Sequence, residues 1–447
     1  MPRIAIIGAG GFVFPLTLIR DILSFPELRG ATLALMDTDT GRLQQTLHSA
    51  QQLVAQYSLP TEILATTDRR TALHGASYVI VAFQVGGLEA YRLDVEIPRR
   101  YGIDQTVGDT LGPGGIMRGL RTIPVLLDIA RDMQEVCPDA LLIQYANPMA
   151  MNCWALSTTG IKTVGLCHSV QNTSRMLARQ IDVPYEEVRF KAAGINHQSW
   201  FLEFRHGEED LYPRVRAAMF AQHLQARVRP GLAVDPDHSE AEHEDTIYEG
   251  GSERVRTEIM RTFGYFHTES SHHASEYVPY FRKRPELVRE FLPQRWDYYE
   301  VCSAHNTDNK SGDILARGLT PSHEYGAFII HSMETGKPCV VYGNVPNTGL
   351  ITNLPHGCCV EVPCLVDTNG IQPTVIGALP PQCAALNRTN VNVQELAVQA
   401  VLHSSREAVY QAVALDPLTG ALLTLDQIHA MTDELLEQEA QWLPQMR

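Results

Sequence analysis

Along the first 170 residues, short apolar runs ending in glycine or a polar residue alternate with stretches of helical spacing. No other feature constrains the fold as much. RIAII (3–7) runs into Gly8-Ala9-Gly10-Gly11, and residues 14–23 then read as a helix. TLALMD (32–37) is a second strand, a helix covers about 40–56, and YVIVAF (78–83) completes a βαβαβ half. Residues 119–136 have helical spacing, while ALLIQYANP (140–148) and KTVGLCHS (162–169) are further strands. Runs this continuously apolar belong to strands buried on both faces, so the expected fold class is α/β with a doubly wound parallel sheet.

From about residue 194 the pattern changes. HGEEDLYPRVRAA through DPDHSEAEHED is polar and reads as a helical insertion with loops. Short strands follow over 337–375, among them KPCVVYGNV and GCCVEVPCLVD, and helices near 392–414 and 424–440 close the chain. This predicts a first domain over 1–194 and a second, α+β domain over 195–447, with the functional cleft between them. Cys358 and Cys359 would point to opposite faces of one strand, which disfavours a shared metal.

Composition narrows the function classes. With 44% hydrophobic and 19% charged residues the chain is neither disordered nor a membrane protein, and no run of about 18 apolar residues could span a bilayer. A net charge of −15 argues against nucleic acid or an anionic membrane as partner. MPRIAIIGAG lacks the basic region and cleavage site of a secretory leader, and nine thinly spread cysteines show no disulfide framework. Cytoplasmic location with reduced thiols is the expectation.

Three groups of residues carry chemistry. Gly8, Gly10 and Gly11 form a turn that would let backbone N–H groups approach a pyrophosphate at a helix N-terminus. Val13 stands where the full fingerprint has a third glycine, but Asp37 ends the second strand 27 residues after Gly10, where a ribose-binding carboxylate belongs. Such a carboxylate favours NAD over NADP; the competing reading is a plain glycine turn with Asp37 as a helix cap. DTLGPGGIMRGLRT (109–122) is either a flexible loop that closes Arg118 over a polar substrate or an ordinary helix entry. GLCHS and GINHQ place Cys167 and His197 thirty residues apart. A thiolate and an imidazole can hold a divalent metal with positions left open, although this spacing matches no standard zinc motif and lone cysteines at strand ends are commonly just buried.

GAGGF, QVGG (84–87), DTLGPGGIMRGLRTIP, YANPMAMN, GLCHSVQ, GINHQSW and NVPNTGLITNLPHGCCVEVP occur in that order. Together they resemble glycoside hydrolase family 4, the NAD- and divalent-metal-dependent glycosidases, over residues 3 to about 375. Cys-His-Ser-Val is similar to the tetrapeptide of the melibiase-type α-galactosidases. The resemblance implies a Rossmann-type sheet like that of lactate and malate dehydrogenases, and NAD contacts at Gly8, Gly10, Gly11, Phe12 and Asp37. It implies a Mn2+ or other divalent ion on Cys167 and His197, substrate contacts from Asn147 and Arg118, and a homodimer or homotetramer.

Family 4 is an exception to the two-carboxylate scheme of glycoside hydrolysis. The resemblance implies transient oxidation at C3 of the sugar, removal of the C2 proton by a base, elimination of the aglycone, addition of water and reduction at C3. The base aligns with Tyr277 of SSHHASEYVPY, with Glu269 as the alternative, and His168 falls on the acid that protonates the leaving oxygen. His272 and His273 read as loop histidines, not ligands. An α-glucoside or α-glycuronide is the alternative substrate. The rival activities are a metal-free hydroxy-acid dehydrogenase, which Cys167 and His197 disfavour, and a non-catalytic sugar- or nucleotide-binding protein.

Overall fold

The computed structural model describes residues 1–11, 14–228, 253–293, 296–305 and 316–447. Its first half alternates strand and helix as expected, but the third strand is β3, not the 78–83 strand expected to complete βαβαβ: β1 (Arg3–Ile7), α1 (Phe14–Ser24), β2 (Thr32–Met36), α2 (Thr40–Gln56), β3 (Glu62–Thr66), α3 (Arg69–Leu73), β4 (Tyr78–Val81), α4 (Gly87–Arg100), α5 (Gly112–Val136), β5 (Leu141–Gln144), α6 (Met149–Ser157), β6 (Lys162–Leu166) and α7 (Ser169–Gln180). The six strands are parallel in the order β3-β2-β1-β4-β5-β6. That is the strand order of doubly wound dinucleotide-binding sheets. Both faces are covered: Ile4 and Ile6 pack with Leu18, Ile19 and Ile22 of α1, while Ala5 and Ile7 pack with Val79, Val81 and Ile129 on the other side. Each such aliphatic side chain taken out of water contributes about 1.5–3 kcal/mol.

The sheet does not stop at β6. β7 (Val188–Ile195), β8 (Gln198–His206), β9 (Glu209–Asp210), β10 (Phe266–His267), β11 (Cys339–Pro346), β12 (Cys359–Asp367) and β13 (Gly370–Pro373) extend it antiparallel, in the order β10-β8-β7-β12-β11-β6 with β9 and β13 on the side. The boundary expected at 194/195 falls inside β7. Among the described residues, no helix is long and apolar enough to cross a membrane.

Residues 188–206 form a β-hairpin ahead of the expected helical insertion; helix Tyr212–Val228 lies within that insertion, and DPDHSEAEHED lies outside the described residues. The helix expected over 392–414 is two, Pro381–Leu402 and Arg406–Leu415, because Ser404 is left-handed (φ 53°) and Ser405 caps the second. The glycine-rich stretch is no flexible loop: α5 starts at Gly112, with Pro113 in its first turn. A Cβ on Gly114 would stand 2.5 Å from the Asp94 carbonyl oxygen, and one on Gly115 would stand 2.5 Å from the Thr110 carbonyl carbon. These glycines serve close backbone approach, and Arg118 rides on a rigid helix.

Candidate active site

Asn147 follows β5 and Cys167 follows β6, so adjacent strands set the two residues side by side at the carboxyl edge where doubly wound sheets bind ligands. The glycine turn lies along the same edge, after β1. Gly8 has φ 91°, and a Cβ there would stand 2.4 Å from the Ala82 carbonyl oxygen. Gly10 donates its N–H to Asp37 Oδ2 at 2.7 Å, and Asp39 N donates to Oδ1 at 2.9 Å. Asp37 is therefore fixed against the turn and is not a helix cap; Asp39 caps α2. A narrow turn feeding a helix N-terminus beside a fixed carboxylate fits a dinucleotide. Phe12 lies outside the described residues.

The second half delivers the next group. His197 occupies the two-residue turn between β7 and β8 with φ 61°. A non-glycine residue held there costs on the order of 1 kcal/mol, a strain typical of functional positions. Its Nε2 stands 3.2 Å from Cys167 Sγ and 3.6 Å from Glu269 Oε2. The ligand atoms of Cys167, His197 and Glu269 all lie within 4.8 Å of one another, and all three residues are buried. Burial pushes the Cys167 thiol up to about 12. Burial also opposes ionisation of Glu269, yet His197, His273 and the Ser270 N–H hold its carboxyl below the usual range. His197 Nδ1 is buried without a partner. A soft sulfur, an imidazole and a carboxylate converging in a dry site are a donor set for one divalent cation.

Beside this cluster runs a polar chain. Thr110 Oγ1 is 2.8 Å from the Tyr277 hydroxyl and 2.9 Å from His273 Nε2. Asp109 accepts from Asn147 Nδ2 at 2.8 Å and faces Arg118 Nη1 at 3.5 Å. Arg118 is buried; Nη1 pairs with Asp109, Nε and Nη1 make no hydrogen bond among the described residues, and its guanidinium lies 5.6 Å from the Tyr91 ring centroid. Tyr277 is buried, which pushes its phenol well above the usual 10; the same cause holds His273 well below the usual range, hence neutral. Glu276, next to Tyr277, accepts the N–H groups of Thr106, Val107 and Gly108 at 2.6, 2.9 and 2.9 Å. This ties the loop bearing Asp109 and Thr110 to the segment bearing His273 and Tyr277.

His168 stands at the N-terminal boundary of α7 without capping it through its side chain, and its Nδ1 lies 3.3 Å from Glu324 Oε1. Burial opposes its charge, but the Glu324 carboxylate outweighs it and raises the imidazole to about 9. Neighbouring Ser322 is anchored on buried Asp21, its N–H donating to Oδ1 at 2.9 Å.

The structure thus brings Cys167, His197, Asn147, Arg118 and Tyr277 to one edge of the sheet with the glycine turn. Glu269, weighed only as a base, joins the thiol–imidazole pair. His273 comes in and His272 does not: the latter packs edge-on against Trp296, with ring centroids 6.0 Å apart. Asp109, Thr110, Glu276 and Glu324 were not singled out. The first two flank the glycine stretch as Asp-Thr, a polar pair at a helix entry and the only local signal available.

A family model described as family 4 glycosyl hydrolase matches residues 3–183, and one for the family 4 glycosyl hydrolase C-terminal domain matches 192–419. The chain is 42% identical to an α-galactosidase of Bacillus subtilis, with all of both chains covered. It is 38% identical to an α-galactosidase of Rhizobium meliloti, covering 99% of this chain and 89% of that one. A 6-phospho-α-glucosidase from gut microorganisms, solved with NAD and Mn2+, superposes with a TM-score of 0.77 at 20% identity over the whole of both chains.

Proposed function

The chain belongs to the family 4 glycosyl hydrolases, and from that premise we propose that it is an NAD- and divalent-metal-dependent α-galactosidase. The observation that carries this is the buried meeting of Cys167, His197 and Glu269 at the carboxyl edge of a dinucleotide-binding sheet. The α-galactosidase relatives, matched along their full or nearly full length, support the choice of sugar. The NAD and Mn2+ of the gut-microbial neighbour support the cofactors.

When bound, NAD supplies a reversible hydride acceptor and Mn2+ a Lewis acid for sugar hydroxyl oxygens. Gly8, Gly10, Gly11, Phe12 and Asp37 hold the dinucleotide; Cys167, His197 and Glu269 hold the cation. Asn147 and Arg118 orient the hexose, Arg118 through nitrogens that make no hydrogen bond within the described protein. Tyr277 takes the proton from C2. Thr110 bridges Tyr277 to His273, which burial keeps neutral, and so fixes the position of the phenol. A phenol raised by burial acts as a base only beside positive charge, and the cation cluster adjoins it, the Tyr277 and His197 rings being 6.2 Å apart. His168, kept protonated by Glu324, hands its proton to the departing glycosidic oxygen. With NAD and the cation bound, the sugar would pass through C3 oxidation, C2 deprotonation, loss of the aglycone, water addition and return of the hydride to C3, with no net redox change.

The same reading assigns the dinucleotide to residues 1–194 and substrate, metal and subunit contacts to 195–447, in a cytoplasmic homodimer or homotetramer whose nine cysteines are unpaired. The test is a panel of nitrophenyl α-galactoside, α-glucoside and α-glycuronide with NAD, Mn2+ and reductant. Turnover of the galactoside, slowed by deuterium at C2 or C3 and without net NADH absorbance at 340 nm, is the expected result. Accumulation of NADH would point to a dehydrogenase, and preference for another glycoside would replace the sugar.

A further inference from the structure

The loop leaving β4 borders the dinucleotide turn, since a Cβ on Gly8 would meet the Ala82 carbonyl oxygen at 2.4 Å and Phe83 Cβ at 2.9 Å. It then passes through Gly86 (φ 77°) and Gly87 (φ 54°) into α4. Two consecutive left-handed glycines give it little stiffness of its own. Gln84 Nε2 donates to the Gly87 carbonyl at 2.9 Å within the loop, and further support comes from α5 and from the far end of the chain. The Trp442 indole covers Gly86, where a Cβ would stand 3.2 Å from Trp442 Cδ2. Arg121 of α5 donates from Nε to the Val85 carbonyl at 3.4 Å, binds both oxygens of Asp94 at 2.9 and 2.7 Å, and pairs with Glu439. The side chains of Arg121, Asp94 and Glu439 are fully buried. Trp442 N donates to the Glu439 carbonyl at 2.9 Å, so the two contacts belong to one turn of chain.

We infer that the C-terminal turn is a clamp that holds residues 84–87 in the shape the dinucleotide needs, with Trp442 and Glu439 as positioning residues for cofactor binding. The inference rests on the NAD reading above. A loop that must be ordered on binding subtracts from affinity; one already held by folding does not. The arrangement also leaves room for a clean test. Glu439 is the second carboxylate on one guanidinium, so its removal leaves the Arg121–Asp94 pair intact and strands no buried cation.

The experiment is a fluorescence titration of the full chain with NADH, alongside hydrogen exchange by mass spectrometry, for wild type, W442A, E439A and W442F. The expected result is an NADH dissociation constant about fivefold or more higher in W442A and E439A, and within about twofold of wild type in W442F. Exchange at 84–87 is expected to rise while β1 stays protected, and Mn2+ affinity to stay unchanged. If W442A does not fold, E439A alone carries the test and W442F remains the conservative control. Unchanged NADH affinity in E439A, and in W442A where it folds, overturns the clamp, and so does exchange that rises equally in β1. Wild type that binds no NADH would sink the cofactor reading and the clamp together; wild type that binds beside indifferent variants sinks the clamp alone.

Discussion

Cys167 Sγ and His197 Nε2 stand 3.2 Å apart although thirty residues separate them in the chain. One ends a parallel strand and the other sits at the tip of an antiparallel hairpin, so the pair exists only because a single sheet carries both halves of the molecule. Burial raises the thiol to about 12, and His197 Nδ1 has no hydrogen-bond partner among the described residues. With the Glu269 carboxylate the pair makes a donor set suited to one divalent ion.

Cys167→Ser is therefore expected to weaken Mn2+ binding by at least about tenfold, since a hydroxyl replaces the anionic ligand. NADH binding should stay within about twofold, because the glycine turn lies on a different strand. Isothermal titration with each ligand checks both. Loss of NADH together with Mn2+ would mean a misfolded variant or a wrongly placed site.

Glu269→Gln separates two roles for one carboxylate. As a ligand, its loss is expected to lower Mn2+ affinity about 10- to 100-fold, with turnover partly restored at high Mn2+. As the C2 base it would leave Mn2+ affinity intact and abolish turnover at any concentration. The geometry favours the first outcome: Oε2 lies 3.6 Å from His197 Nε2, whereas Tyr277 sits in the Thr110–His273 chain.

The pH profile should carry the signature of Glu324. His168 is raised to about 9, so its acid form is present at neutral pH and lost as pH rises through about 9. Turnover of an alkyl galactoside, whose leaving group needs the proton, is expected to fall over that range. In Glu324→Gln the fall should move down toward the ordinary histidine value of about 6.5. A nitrophenyl galactoside, which leaves without help, should lose far less in either protein. An alkyl profile unmoved by the substitution would remove His168 from the acid role. The stability contribution has the same sign: it is complete below the unfolded-state value and disappears as pH passes about 9.

Most of the parallel half was legible because its strands are buried on both faces and read as unbroken apolar runs, whereas β3 at the sheet edge is only partly buried and was not read. The β7–β8 hairpin was not, because Gln198 and Ser199 look like surface residues. They are buried, Gln198 accepting from Asn390 at 3.0 Å and Ser199 donating to Glu361 at 2.6 Å. Cys167 and His197 were visible as uncommon residue types inside short motifs. Glu324, Glu276 and Asp109 are common types whose roles come from partners more than 35 residues away, such as Asn147 for Asp109. The glycines of 112–115 misled for a related reason: sequence cannot distinguish a glycine needed for motion from one needed for contact, and Asp94 and Thr110 supply the contact.

Thr110→Val tests the proton path. Valine matches threonine in shape, so the change removes a hydroxyl that touches both Tyr277 (2.8 Å) and His273 (2.9 Å) and little else. Two buried polar atoms then lose a partner, a stability cost of about 1–3 kcal/mol each at most, which calorimetry would register as a lowered Tm. If Tyr277 removes the C2 proton and passes it along this chain, kcat should drop about 10- to 100-fold and the isotope effect with C2-deuterated substrate should grow, because proton removal becomes slower than the other steps. The C3 isotope effect should shrink correspondingly, and Mn2+ and NADH affinities should hold. A lowered Tm with unchanged kcat and an unchanged C2 effect would show that the Tyr277–Thr110–His273 chain only holds two segments together. The base would then have to be sought among the groups facing the metal cluster.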